Sequence, residues 1–596
     1  MKSAFAKCFG ATAVASLLLV PAPAAYAQRA SISGIVVKAL SGEPASGATV
    51  KLVDEPPAVA PAGRQLQSTT TGSDGSFRFD DVEPRAYWIV ANLQGYLPAE
   101  YGQRSATATG ISFTVGAGQR GTVRLTIWPT AAISGRVVDA DGDPIGRLQV
   151  LALRMVYRDG TPSMTIAQTV TTNDRGEYRM FWLTPGSYRV AARQWDPDTT
   201  APLINIGPPR RYATNEQGTS PVLTRHAGEN GATVEETFVP VYAPSTTDVQ
   251  LAMPIALGPG DNATGVDIQV AGNRVPAHHV RGVFVRADDA PQPRGFFPPL
   301  MMVPRLQTPF AIVASGVVRP DGSFDVGGVA PGSYLLYTQD ASAILPLEVG
   351  DADIDNITLV QQPGIMLNGR LTIDRGVSPA TADASVSPSE FQIQMTRDPY
   401  LIGAPDGGPR FNPAPAEDGK IALNAVAPGD YRISIRPFGM SPDGETLTGR
   451  AVRGPLRNVY VKSVRLGDAD VLANGIHLPG PTSEQLDIVV GLNGGEIDGT
   501  ATDGRGPVAN VTVVAVPTGA NRGRPDLYKR TVTDAQGRFT ITGLAPGDYT
   551  FYAWDDIERG AWESPEFIRA FEGRGRFVRT REGKNESIEL SVIAGR

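Results

Sequence analysis

Thr172-Asn173-Asp174-Arg175-Gly176-Glu177-Tyr178, followed by Leu183-Thr184-Pro185-Gly186-Ser187-Tyr188, decides the fold, because the chain repeats this pattern five times. An Asp-Gly turn leads into an aromatic or aliphatic residue, a proline stands seven positions on, and a tyrosine three further. The other copies are Asp74, Gly75, Phe77, Pro84 and Tyr87; Asp321, Gly322, Phe324, Pro331 and Tyr334; Asp418, Gly419, Ile421, Pro428 and Tyr431; and Asp534, Gly537, Phe539, Pro546 and Tyr549. A spacing held through five copies marks an internal repeat of small modules.

Upstream of each copy stands an apolar residue, a glycine two positions on, and a further apolar or small residue: Ile32-Gly34-Val36, Ile133-Gly135-Val137, Val280-Gly282-Phe284, Leu367-Gly369-Leu371 and Ile497-Gly499-Ala501. Period two places the three on one face of a strand. A glycine on an inward face marks close approach by another backbone or a ring, and the repeat tyrosine is the ring expected there. After the Asp-Gly turn a Phe/Tyr strand, a Pro-Gly turn and a tyrosine strand follow, the last with Tyr188-Val190-Ala192, Tyr431-Ile433-Ile435 or Tyr549-Phe551-Ala553 on one face. A closing strand is expected at Val123-Leu125-Ile127, Val266-Ile268-Val270, Ile357-Leu359, Ile476-Leu478 and Ile588-Leu590-Val592. The fold class is therefore all-β, a tandem array of about five small antiparallel β-sandwiches of about seven strands each.

The glycine signatures lie 101, 147, 87 and 130 residues apart, enough for each unit to hold its own core. The expected division is a leader at 1–27, then modules at 28–130, 131–275, 276–363, 364–492 and 493–596. The second carries a long polar insertion at about 196–235, rich in Pro, Gly, Thr and Asn, which reads as a mobile flap or a functional loop.

Lys2 and Lys7 precede an apolar run from Phe9 to Val20, and Ala25-Tyr26-Ala27 supplies small residues for cleavage, so the leader reads as a secretory signal peptide. The mature chain is expected to begin near Gln28, without Cys8, the sole cysteine. Export without a mature disulfide suits a periplasmic, cell-surface or secreted protein stabilised by its cores. No later stretch approaches the apolar length of a membrane helix. Gly (66) and Pro (50) fit a turn-rich β array. Loss of Lys2 and Lys7 leaves 52 basic and 61 acidic side chains, and that scattered acidic balance argues against a nucleic-acid partner.

The stretches Ile133-Ser134-Gly135-Arg136-Val137-Val138-Asp139, Thr172 to Tyr178 and Leu183 to Tyr188 resemble the carboxypeptidase regulatory-like domain, as do Ser33-Gly34 with Asp74 to Phe77 and Asp498-Gly499 with Asp534 to Tyr549. The third and fourth copies match loosely in their first half and clearly in their second. The mature chain resembles the multi-copy proteins of this domain exported by bacteria, including Gly116-Ala117-Gly118-Gln119 and Tyr242 to Asp248. The resemblance implies a transthyretin-like (prealbumin-like) sandwich, classed with carbohydrate-binding-like folds, in accessory modules without catalysis or cofactor. A fold alone does not fix a function.

Catalytic chemistry finds little support in the residues. The four histidines, His226, His278, His279 and His477, form no helical i, i+4 pair with a glutamate, and they read as surface or rim residues. No Gly-x-Ser-x-Gly elbow exists. Asp139, Asp141 and Asp143, and Asp351, Asp353 and Asp355, resemble fragments of calcium loops but lack the later glycine and glutamate, so turn and solvent chemistry is expected. Lysine-asparagine crosslinks, as in collagen-adhesin B-type repeats, are excluded as a general device because no lysine lies between 52 and 419.

Two function classes remain: a structural or protein-interaction array in the cell envelope, and a carbohydrate-binding protein, with an envelope protein or a polysaccharide as the respective partner. Aromatics exposed on one module face, outside the tyrosine register, would favour the second. The densest candidate lies in the fifth module, where period two turns Tyr552 and Trp554 outward beside Asp555, Asp556 and Trp562. Either this cluster is a ligand platform, or Trp562, Phe567 and Phe571 fold back as a lid.

Overall fold

Two apolar rows in each repeat need a partner face, and the computed structural model supplies it by pairing two sheets in each of the first four modules. In the fifth, Ala553 and Trp554 pair with Val592 and Ile593 and join the two halves into one seven-stranded sheet. The structure describes residues 29–53, 65–158, 160–194, 224–227, 233–286, 298–305, 314–338, 340–376, 386–398, 415–438, 440 and 454–595. The leader at 1–27 lies outside the described residues, as does the 196–235 insertion except its last part.

The first module shows the plan. Its glycine strand Ala30–Lys38 is central in a three-stranded sheet, antiparallel to Ser76–Val82 and parallel to Arg120–Ile127. The second sheet orders Gln65–Thr70, Thr49–Val53, Arg85–Asn92 and Ala99–Glu100, with Phe113–Val115 also against the tyrosine strand. Ile32, Val36, Val50, Ile89 and Leu125 meet between the sheets with almost no exposure. Each such side chain contributes about 1.5–3 kcal/mol on burial, before the entropy cost of ordering it. Comparable cores occupy the stretches Ala131–Ile268, Val280–Leu359, Ile365–Leu492 and Ile497–Leu590. Tyr460 of the fourth stretch packs into the fifth core.

The repeat glycine marks a close backbone approach, as expected, but the ring beside it is a different one. A Cβ on Gly34, Gly135, Gly282, Gly369 or Gly499 would overlap the carbonyl oxygen of Val123, Val266, Ile357, Leu486 or Ile588 on the parallel closing strand. The ring beside it is that of the Asp-Gly strand, Phe77, Tyr178 or Phe539, and not the repeat tyrosine. Pairing register is the reason, since Gly34 stands directly opposite Phe77. In the fourth module the closing strand is Leu486–Gly491, while Ile476–Leu478 pairs antiparallel with the tyrosine strand. Both segments alternate, so periodicity alone does not separate them.

The tyrosines form corners. Tyr87, Tyr188, Tyr334, Tyr431 and Tyr549 are all buried. Each hydroxyl donates to the carbonyl four residues upstream, on Glu83, Thr184, Ala330, Ala427 and Ala545, at 2.6–3.1 Å. That carbonyl belongs to the residue before the repeat proline, so the fixed Pro-to-Tyr spacing is the geometry of this bond. Burial raises the Tyr188, Tyr334, Tyr431 and Tyr549 hydroxyls above their ordinary pKa, keeping them neutral donors.

A second repeated feature was not anticipated. Four positions after the aromatic or aliphatic residue, Asp81, Trp182, Gly328, Ala425 and Gly543 take positive φ, 57° to 77°. Pairing with the glycine strand shifts register beside each. This is a β-bulge, which re-aims side chains and ends pairing. The Asp-Gly turns are capped by Asp74, Asp321, Asp418 and Asp534, but in the second module Asn173, not Asp174, accepts the amides of Arg175 and Glu177.

Candidate functional site

Several polar clusters of the described residues sit where modules meet. At the junction of the fourth and fifth modules, the Lys462 ammonium lies 2.8 Å from Asp374 and 2.7 Å from Glu582. Asn493 also donates to Glu582, at 3.0 Å. Burial alone would lower the Lys462 pKa, but hydrogen bonds to Asp374 and Glu582 outweigh it and raise the value. A lysine held as an ammonium between two carboxylates is a clamp and a poor nucleophile toward Asn493. The bulge of the fifth module docks here too, Thr542 donating to the Arg457 carbonyl at 3.0 Å.

Between the second and third modules, the end of the polar insertion is ordered. Strands Thr224–Ala227 and Thr233–Phe238 form a hairpin whose second strand pairs with Arg274–Pro276. Its Glu235 reaches the His279 Nε2 at 3.0 Å, while Asp325 takes Nδ1 at 2.6 Å. His279 is therefore not a rim residue, and its neighbour His278 is buried. Asp353 accepts the His279 amide, and Arg281 bridges Asp353 and Asp355 at 2.9 and 3.3 Å, so these aspartates belong to an ion-pair network. Asp139 instead caps its own turn, accepting the Asp141 and Asp143 amides.

Burial pulls the His279 pKa down and the Arg281 charge opposes protonation, but the bonds to Asp325 and Glu235 win and the net shift is upward. A raised folded-state pKa contributes stability that is complete below the ordinary value of 6.5 and is lost as pH rises through the folded-state value. The melting temperature of the third module should therefore fall on moving from mildly acid to mildly alkaline buffer. His279→Gln should flatten that slope, and an unchanged slope in the variant would show that other groups set it.

The fifth module does not trail from the end of a string. Its Asn510, almost fully buried, donates to the Thr109 carbonyl at 3.0 Å and also to the Gly102 carbonyl. Arg104 donates to the Ala509 carbonyl at 3.0 Å, and the Thr107 hydroxyl to Asp556 at 2.9 Å. The second module reaches the same unit through its long hairpin, Gln149–Arg158 and Thr161–Thr171. Arg154 pairs with Glu558 at 2.8 Å, and Tyr157 meets Phe567 edge-on at 6.1 Å between centroids. A Cβ on Gly160, in the hairpin turn, would stand 2.6 Å from the Glu563 carbonyl oxygen, so only glycine lets the backbones approach this closely.

This arrangement corrects the expected ligand platform. Tyr552, Trp554 and Trp562 are 1–2% exposed. Tyr552 and Trp554 do turn away from the sandwich interior, but onto a second core with Val514, Val516, Ile568 and Phe571. The covering element is the turn Ala561–Glu563 and the short helix Pro565–Arg569, whose start is capped by Ser564. Asp555 accepts from the Gly595 amide and Asp556 from Thr107. These five residues form a lid core and its polar margin, and the rings offer no open face.

Exposed aromatics outside the tyrosine register stand elsewhere. Phe181 and Trp182, at the bulge of the second module, are 44% and 59% exposed and meet edge-on with centroids 4.9 Å apart. Sequence reasoning missed them, although the repeat register carried the signal: Trp182 occupies the position held by Gly328 and Gly543. A groove of ≈ 800 Å³ on the first module runs over Ser33, Ile35, Thr122, Arg78 and Arg124. Arg78 is paired with Asp80 at 2.7 Å. No group of three or more His, Cys, Asp or Glu among the described residues is arranged to hold a metal ion.

With this geometry in view, residues 31–127, 132–210 and 496–556 match the family model of the carboxypeptidase regulatory-like domain. The chain carries the carboxypeptidase regulatory-like domain in more than one copy. The third and fourth modules lie outside the matched residues but share the corner, the glycine contact and the bulge. A search of curated proteins found no match. Among solved structures the chain is similar to GBS52, the minor pilin of Streptococcus agalactiae, at 13% identity and TM-score 0.21, covering 40% of this chain and 95% of that one. It is also similar to BcpA, the major pilin subunit of Bacillus cereus, at 9% identity and TM-score 0.14, covering 56% and 100%. Two B repeat units of the collagen binding protein of Staphylococcus aureus align at 11% identity and TM-score 0.12, covering 78% and 100%. Similarity at this level carries no argument about function. No helix among the described residues is long and apolar enough to cross a membrane.

Proposed function

We propose that this protein is a non-catalytic, exported repeat protein that serves the cell envelope as a structural and protein-interaction array. One observation carries the reading: three half-buried charged clusters join modules. Lys462 with Asp374 and Glu582, His279 with Glu235 and Asp325, and Arg154 with Glu558 each bridge two units. A hydrolase would instead converge such groups on a cleft with a free reacting position. The leader at 1–27 supports export, and the mature protein is expected to start near Gln28. Cell fractionation with N-terminal sequencing tests the location, and assays on peptide and ester substrates test the chemistry. Recovery of the intact chain in the cytoplasm, or turnover by the pure protein, would refute the reading.

An array of this kind is expected to be held shut by its fifth module. Arg154→Ala with Asn510→Ala removes the ion pair and the two carbonyl contacts while leaving every sandwich core in place. Inter-domain contacts of this polar kind resemble transient interfaces. The double variant should show a larger radius of gyration in small-angle scattering, with module melting shifted by only a few degrees. An unchanged radius would mean that the contacts between the first, second and fifth modules do not hold the shape.

A further inference from the structure

The bulge at position 182 is the place where the modules differ most in chemistry. A bulge sets two successive side chains on one side of a strand. The five pairs so presented are Asp80-Asp81, Phe181-Trp182, Gly327-Gly328, Asn424-Ala425 and Thr542-Gly543. The fifth is docked on the fourth module, its Gly543 amide meeting the Asn458 side chain at 3.3 Å. In the third, the His279 ring lies over Gly327. Only the second presents aromatic rings, and both are exposed.

Trp182 sits there at φ 62°, a conformation that a bulky side chain adopts only under constraint. Glycine does this work without strain in two sibling modules. Strain at an exposed position, where packing gains nothing from the ring, points to function. The surroundings narrow the ligand. Arg179 shares the outward row with Phe181, is exposed, and has no ion-pair partner among the described residues. Ser134 stands opposite it on the neighbouring strand, and Arg136 and Glu177 pair beyond at 3.0 Å. Two rings cover about 300–500 Å², less than the roughly 800 Å² that one side of a standard protein interface buries. The charged rim adds no apolar area. Two ring faces nearly at right angles, 78° apart, match a small ligand with an apolar face and a hydroxylated edge.

We propose that Phe181, Trp182 and Arg179 form a carbohydrate-binding ledge on the second module, taking one pyranose ring of a polysaccharide. The C–H face of the sugar stacks on Trp182, Phe181 closes the side, and the Arg179 guanidinium donates to ring hydroxyls.

The test uses the mature full-length chain on a glycan array, followed by titration with chitohexaose, cellohexaose and maltohexaose read by isothermal calorimetry for parent and variants, with tryptophan emission followed in the parent. At least one pyranose oligomer should bind and change the emission. Trp182→Gly should weaken it at least tenfold while leaving the melting temperature equal to or above that of the parent, because glycine suits the left-handed backbone. Phe181→Ala and Arg179→Ala should each weaken it severalfold. Absence of binding to every glycan, or affinity unchanged in Trp182→Gly, overturns the proposal. Binding of an apolar dye or a protein partner at this ledge, with no glycan bound, overturns it equally.

Discussion

Tyr431→Ala should unfold the fourth module and leave the sandwiches of the first three protected. Tyr431 is fully buried, its hydroxyl bonded to the Ala427 carbonyl at 2.6 Å. Arg397 covers one face of the ring at 5.7 Å and donates to the Pro428 carbonyl at 2.9 Å, so the corner holds three chain segments together. Truncating a buried aromatic costs roughly 3–5 kcal/mol, a large part of the whole stability of a module of this size. Tyr431→Phe keeps the ring and loses the bond, which costs about 1 kcal/mol and leaves a buried carbonyl unmet. Hydrogen exchange resolved by peptide separates the cases. Loss of protection in Lys420–Val426 and Gly429–Pro437, with Ala30–Lys38 and Ala131–Val138 unchanged, is the expected pattern. Simultaneous loss in every module would mean that the contacts closing the array make it one cooperative unit.

The difference between what the sequence revealed and what it concealed follows from the range of the interactions involved. Strand identity, module number and the burial of the corner tyrosines follow from local periodicity and fixed spacings, which the five copies repeat. The partner of Gly34 is different, because a close approach reveals that something is near without saying what; register put Phe77 and the Val123 carbonyl there, and left Tyr87 on the facing sheet. The bulge escaped notice because Asp81, Trp182 and Ala425 are not glycines, and only comparison across copies with Gly328 and Gly543 exposes the shared backbone. Module contacts were invisible for a simpler reason. Asn510 meets Thr109 across 401 residues, and nothing in either local sequence names the other.

Period two correctly turned Tyr552 and Trp554 away from the sandwich interior, but it does not report whether an outward face stays open. The lid decides that, and its removal is the second large expected effect. Trp562 is 2% exposed, and Trp554 meets Tyr552 at 5.1 Å and Phe571 at 5.7 Å in the same small core. Trp562→Ala should destabilise the fifth module by roughly 3–5 kcal/mol, the cost of a large cavity. It should also release the hairpin tip of the second module, because Phe567, the partner of Tyr157, lies in the lid helix, and Glu558, the partner of Arg154, stands just before the lid turn. Trp562→Phe should cost far less. The buried indole N–H of Trp562 has no hydrogen-bond partner, so the smaller ring loses packing but also removes an unmet donor that carries a desolvation cost of about 1–3 kcal/mol. Calorimetry of the full chain gives the stability, and hydrogen exchange at Pro565–Arg569 and at the tip of Gln149–Arg158 gives the release. A melting temperature within a degree of the parent for Trp562→Ala would show that the ring is not a core residue, and would reopen this face as a platform. A drop of several degrees with exchange rising at both places would establish that the aromatic density of the fifth module serves to hold the array closed.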